Sequence, residues 1–137
     1  DRVSPLHVVE AHDGMILEPG LVALARGGMH LHIERAGSRF VARLASAPAR
    51  AFMPSVDELF LSSAASAGAG VLGVVLTGMG DDGLAGSRAI SAAGGSLLCE
   101  APQSCVVYGM PRVVYEAGLG AVSVLLDRMG EEIKNRV

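Results

Sequence analysis

Six consecutive nonpolar residues, Val71–Leu76, run straight into Thr77-Gly78-Met79-Gly80-Asp81-Asp82-Gly83, and this junction constrains the fold most. A Val/Leu run interrupted only by Gly73 and without polar alternation predicts a strand buried on both faces, as in the middle of a parallel sheet. Leu84–Ala93 then carries a helical pattern closed by Gly94-Gly95. The loop therefore joins the carboxyl end of a strand to a helix, the place where open parallel sheets gather ligands and catalytic groups.

The rest of the chain divides near residue 54. Residues 1–53 are short runs punctuated by turn signals at Asp13-Gly14, Pro19-Gly20, Gly27-Gly28 and Gly37-Ser38. Leu31 and Ile33 alternate with His30 and His32, and Phe40, Ala42 and Leu44 with Val41 and Arg43, which predicts a hairpin across Arg35–Ser38. Residues 54–137 alternate helix and strand. Pro54-Ser55 followed by Glu58 is a capping-box pattern with Ser55 as N-cap. Val56, Leu59, Phe60, Ala64 and Ala67 make the helical stripe that follows, ending at Gly68. Ser96–Cys99, Val106–Tyr108 and Val122–Val124 are short strand candidates, with helices from Pro111 to about Ala117 and over Leu125–Arg136. The expectation is one α/β domain over 1–137: a doubly wound, mostly parallel sheet with helices on both faces and an antiparallel hairpin in its N-terminal part.

Composition removes several classes of function. A net charge of −3 and an aromatic content of 4% leave neither basic stripe nor stacking platform, so nucleic acid is not an expected partner. The longest apolar run is too short to span a bilayer, so no membrane association is expected. Cys99 and Cys105 form no CxxC and read as reduced thiols of a cytoplasmic protein. The chain opens at Asp1 without an initiator methionine or signal segment, which suggests part of a longer gene product.

The loop itself admits several chemistries. Gly78, Gly80 and Gly83 spell GxGxxG, with Glu100 near the position of a ribose-binding acid. Asp81 and Asp82 argue against a dinucleotide, because they put carboxylates where a pyrophosphate needs free backbone N–H groups. Metal binding by the aspartate pair lacks further acids nearby, so neither metal nor cofactor is expected. A plain reading has one aspartate capping the helix and the other solvated. A third chemical reading makes the acid the orienter of a histidine in acyl transfer.

The segment Val75–Gly83 resembles the active-site loop of the chemotaxis protein-glutamate methylesterases, the CheB family. Pro54-Ser55-Val56-Asp57-x-Leu59-Phe60 and Ser104-Cys105-Val106-Val107-Tyr108-Gly109-Met110-Pro111 resemble the same family in order, as do Glu10-Ala11-x-Asp13-Gly14 and the strand around His30. The resemblance implies hydrolysis of glutamate methyl esters on bacterial chemoreceptors, with glutamine deamidation, by a Ser-His-Asp triad without metal or cofactor. It makes Asp82 the triad acid, places Met79 beside the oxyanion site and gives Asp81 a supporting role. It implies methylated cytoplasmic receptor helices as substrate and a receiver domain in the full protein.

The family's Gly-x-Ser-x-Gly-Gly turn and the histidine motif after it are absent from these residues, so the resemblance covers roughly the C-terminal two-thirds of the catalytic domain. The chain alone is accordingly predicted to be inactive. Ser55 is better explained as an N-cap, Ser87 and Ser104 sit in no strained elbow, and His7, His12, His30 and His32 read as structural or surface residues. Cys105 reads as buried and inert. Phe52-Met53 stand where the family usually has a basic residue. Two readings follow: a methylesterase domain whose N-terminal part is elsewhere, or a non-catalytic module that binds a receptor or protein partner. A sheet so shortened would expose an edge, which suggests a homo-oligomer covering it.

Overall fold

The computed structural model describes residues 3–137, so Asp1 lies outside them. The N-terminal part holds β1 (His7–Glu10), β2 (Ile16–Leu17), β3 (Leu21–Leu24), β4 (His30–Ala36) and β5 (Arg39–Ala45). β1 and β3 pair in parallel, while β2, β5 and β4 form an antiparallel sheet whose β4–β5 hairpin turns at Gly37-Ser38. The turn fits the sequence, because Gly37 takes a positive φ of 64°.

The C-terminal part holds α1 (Val56–Ala67), β6 (Leu72–Val75), α2 (Leu84–Ala92), β7 (Ser96–Glu100), α3 (Met110–Glu116), β8 (Val122–Val124) and α4 (Leu126–Arg136). β6, β7 and β8 form a parallel sheet in chain order, with α2 and α3 as crossovers. Alternation along the strands splits the core in two. Val75, Leu97 and Cys99 meet Phe60, Ile90 and Val114 of α1, α2 and α3 on one face. Leu98 and Val124 meet Met129 of α4 on the other. Helices thus cover both faces, as the strand–helix alternation requires. β6 pairs only with β7 among the described strands, which leaves its other edge free.

Two local expectations change. Val106–Tyr108 is not a strand; Gly78 and Tyr108 make one isolated bridge, and the segment instead clasps the glycine loop. Gly78 N–H donates to Val107 O, Val107 N–H donates to Thr77 Oγ1, and the Gly109 and Met110 amides both donate to Gly78 O. The capping box is also only half formed. Ser55 Oγ accepts from Glu58 N–H at 3.5 Å, but the Ser55 amide donates to His30 Nδ1 and the Glu58 side chain turns elsewhere.

Candidate active site

Asp82 does not cap its own helix. Its carboxylate crosses to the N-terminus of α1, where Oδ1 accepts from Ser55 Oγ at 2.9 Å and Asp57 N–H at 2.9 Å, and Oδ2 accepts from Val56 N–H at 2.8 Å. The unpaired amides of a helix N-terminus carry partial positive charge, so a carboxylate set there is both bonded and electrostatically matched. Oδ2 takes one bond and keeps a lone pair for another donor.

α2 is capped in return by α1. Gly83, its N-cap, has no side chain to offer, and Asp57 Oδ1 accepts from Gly83 N–H at 3.0 Å and Gly86 N–H at 2.8 Å. These are the amides a pyrophosphate would require, and they are occupied. Asp81 is exposed beside the turn, and its carbonyl accepts from Leu84 N–H. Met79, at the loop's apex, is 77% exposed. Asp82 and Asp57 open onto a cleft of about 210 Å³, shared with Asp81, Ser55, Arg50 and Phe52. Arg50 brings a cation to this wall from four positions before Pro54, where the sequence immediately before that proline offers only Phe52-Met53.

Arg50 is held by Glu58, which also takes His32 Nε2 at 3.0 Å. Burial alone would push the Glu58 carboxyl up, but the hydrogen bonds from Arg50 and His32 outweigh it and hold the group below its ordinary value. This network draws Glu58 away from the capping box.

A serine, a histidine and an aspartate do meet here, but in the wrong order for a triad. Ser55 donates its hydroxyl to Asp82 directly. His30 touches only the Ser55 amide through Nδ1, and its Nε2 donates to Pro48 O at 2.8 Å. Neither ring nitrogen can take a proton from Ser55 Oγ, and both residues are buried. His30 is therefore structural and wholly buried, with no surface role. Cys105 is half-buried, less enclosed than expected, and burial pushes its thiol up. Cys99 is pushed up to about 11 by burial, so neither sulfur is an activated thiolate. Ser104 Oγ accepts from Leu126 N–H at the start of α4, and Ser87 lies buried inside α2. No three His, Cys, Asp or Glu side chains cluster as metal ligands among the described residues. No helix of the described residues is long and apolar enough to cross a membrane.

Sequence reasoning missed Asp57 as the cap of α2 and Glu100 as the support of the loop. Glu100, at the end of β7, is 1% exposed and accepts from Thr77 N–H through Oε2 at 2.8 Å, while Oε1 has no partner among the described residues. Glu100→Gln keeps an acceptor for Thr77 but puts an amide NH₂ in place of Oε1, for which the described residues offer no partner. It is expected to destabilise the fold by about 1 kcal/mol, read as a fall in Tm. An unchanged or raised Tm would show that this atom finds a partner in solution.

The class of protein is now defined: an α/β domain with an acid-bearing glycine turn at the carboxyl end of a parallel sheet, set against a second helix N-terminus. The CheB methylesterase family model matches residues 1–133, and the chain belongs to that family. It is 58% identical over 125 residues to protein-glutamate methylesterase/protein-glutamine glutaminase 5 of Myxococcus xanthus, covering 90% of this chain and 36% of that protein. It is 44% identical over 137 residues to the third such protein of Geobacter sulfurreducens, covering 99% of this chain and 37% of that one. The crystal structure of the Thermotoga maritima CheB methylesterase catalytic domain superposes with a TM-score of 0.96 at 31% identity, covering all of this chain and 73% of that one. The chain thus spans little more than a third of the length of these curated relatives.

Proposed function

We propose that this chain supplies the acid side of a Ser-His-Asp site that hydrolyses glutamate methyl esters on cytoplasmic chemoreceptor helices and deamidates glutamine there. The observation that carries the reading is the Asp82 carboxylate. It is fixed by three donors, keeps a lone pair on Oδ2, and stands beside an open cleft. Such a group can accept a histidine N–H, fix its tautomer and support the imidazolium that forms as the base takes the serine proton. Serine attack on the ester carbonyl then expels methanol, and water hydrolyses the acyl-enzyme. Exposed Met79 belongs beside the developing oxyanion, with Asp81 in support at the rim.

The serine and histidine motifs lie upstream of the matching region in the family, and the free edge of β6 offers a place for a further strand. A receiver domain in the longer protein belongs to the same reading. The test joins residues 1–137 to the part of the Thermotoga maritima domain that the match leaves uncovered and measures methanol release from methylated receptor. The joined protein should turn over and the 137-residue chain alone should not. Turnover by the chain alone, or none by the joined protein, would sink the proposal.

A second reading, a non-catalytic module that binds a receptor or protein partner, draws on an apolar rim. Leu76, Met79, Val106 and Val107 are exposed around the clasped loop. Receptor binding by the chain without turnover in the joined protein would favour it. The free β6 edge admits a second copy of the chain in either case.

A further inference from the structure

We propose that Asp57 is a positioning residue whose carboxylate fixes where Asp82 stands, so that two acids and two helix N-termini form one clamp. The proposal rests on the reading of Asp82 as the acid that orients a histidine.

A carboxylate in the first turn of a helix ordinarily serves its own helix. Here the service is exchanged. Asp57, in the first turn of α1, holds Gly83 and Gly86 of α2. Asp82, just before α2, holds Val56 and Asp57 of α1 together with the Ser55 hydroxyl. Five hydrogen bonds thus cross between the two helix starts, three in one direction and two in the other. Without the acids, two positive helix ends would face each other unpaired.

The coupling runs through the backbone. Gly83 follows Asp82 directly and sits at φ +100°, where the chain turns into α2. Asp57 grips the amide of that residue, so it anchors the peptide from which the Asp82 side chain springs. Release of the grip leaves a turn of glycines, Gly80 at φ +94° and Gly83, free to move the acid. Gly86 permits the close approach, since a Cβ there would stand 3.3 Å from both the Cα and carbonyl oxygen of Asp57. Displacement of a catalytic group by about 1 Å can cost on the order of a hundredfold in rate.

The test compares wild type, Asp57→Ala and Asp57→Asn, because asparagine keeps an oxygen for the two glycine amides. Amide exchange in the 137-residue chain decides the coupling. In Asp57→Ala, exchange should rise about tenfold at Gly83 and Gly86 and also at Val56, whose acceptor is Asp82, while Ser96, bonded to Val71 O, stays unchanged. Asp57→Asn should restore all three.

The joined protein then separates positioning from mere support. Asp57→Ala should lower kcat roughly 10–100-fold with KM within about twofold, and move the acid limb of kcat/KM to lower pH as the imidazolium loses its partner. A purely structural role would scale activity and leave that limb in place, which would overturn the proposal. So would unchanged exchange at Val56 once Gly83 and Gly86 are freed. If the wild-type joined protein hydrolyses nothing, the esterase reading falls, and the exchange rates still decide whether Asp57 places Asp82.

Discussion

Replacing Asp82 by alanine is expected to damage this protein twice, once in stability and once in chemistry. The substitution removes the acceptor of two backbone amides and a buried hydroxyl at the start of α1. A charged cap with several donors contributes on the order of 3 kcal/mol, so Tm should fall by roughly 10 °C. Asp82→Asn recovers less than half, since its amide NH₂ must face a donor. In the joined protein the same asparagine should lower kcat by about 10⁴, because an amide cannot hold the histidine in the tautomer that accepts the serine proton. Thermal denaturation and methanol release measure the two effects separately. A stability loss below about 0.5 kcal/mol would show that water replaces the carboxylate at no cost, and would remove the structural half of the argument.

The sequence was most legible where structure is local. Ser55 as N-cap, the end of α1 at Gly68 and the junction of β6 with the loop are all decided within a few residues, and the structure reproduces them. The position of Asp82 in the loop was equally readable, and its geometric partners were not. Val56 and Asp57 lie 26 and 25 residues away, and the pattern of a helix start points each acid to its own helix. The exchange arises only because α1 and α2 pack against each other with their N-termini together. Glu58 failed for a related reason: its spacing from Ser55 is right for a capping box, but Arg50 and His32 arrive from other elements as stronger partners. His30 alternates with Leu31 and so reads as the outer face of a strand. The segment from Pro48 to Ser55 folds over that face and buries it. Val106–Tyr108 shows the limit of β propensity, since its donors and acceptors go to Thr77 and Gly78 of a loop instead of a strand ladder.

Gly86→Ala tests the packing that makes this exchange possible. In an exposed helix interior the change would gain about 1 kcal/mol of helix propensity. At Gly86 the added Cβ would lie 2.3 Å from Cβ of Phe60, an atom next to the α1 backbone that cannot swing aside. Overpacking of this kind costs about 1–3 kcal/mol or more and outweighs the propensity gain, so a net loss of roughly 2 kcal/mol is expected. Gly130 of α4 supplies the internal contrast. A Cβ there meets nothing within 4 Å, so Gly130→Ala should stabilise by up to about 1 kcal/mol. Opposite signs for one substitution in two helices, read as shifts in denaturation midpoint, would tie the cost to the α1–α2 contact. Equal signs would mean that the helices can part without penalty. In that case the distance between Asp57 and Gly86 would be adjustable, and Asp82 would not be held by the fold in the place its chemistry needs.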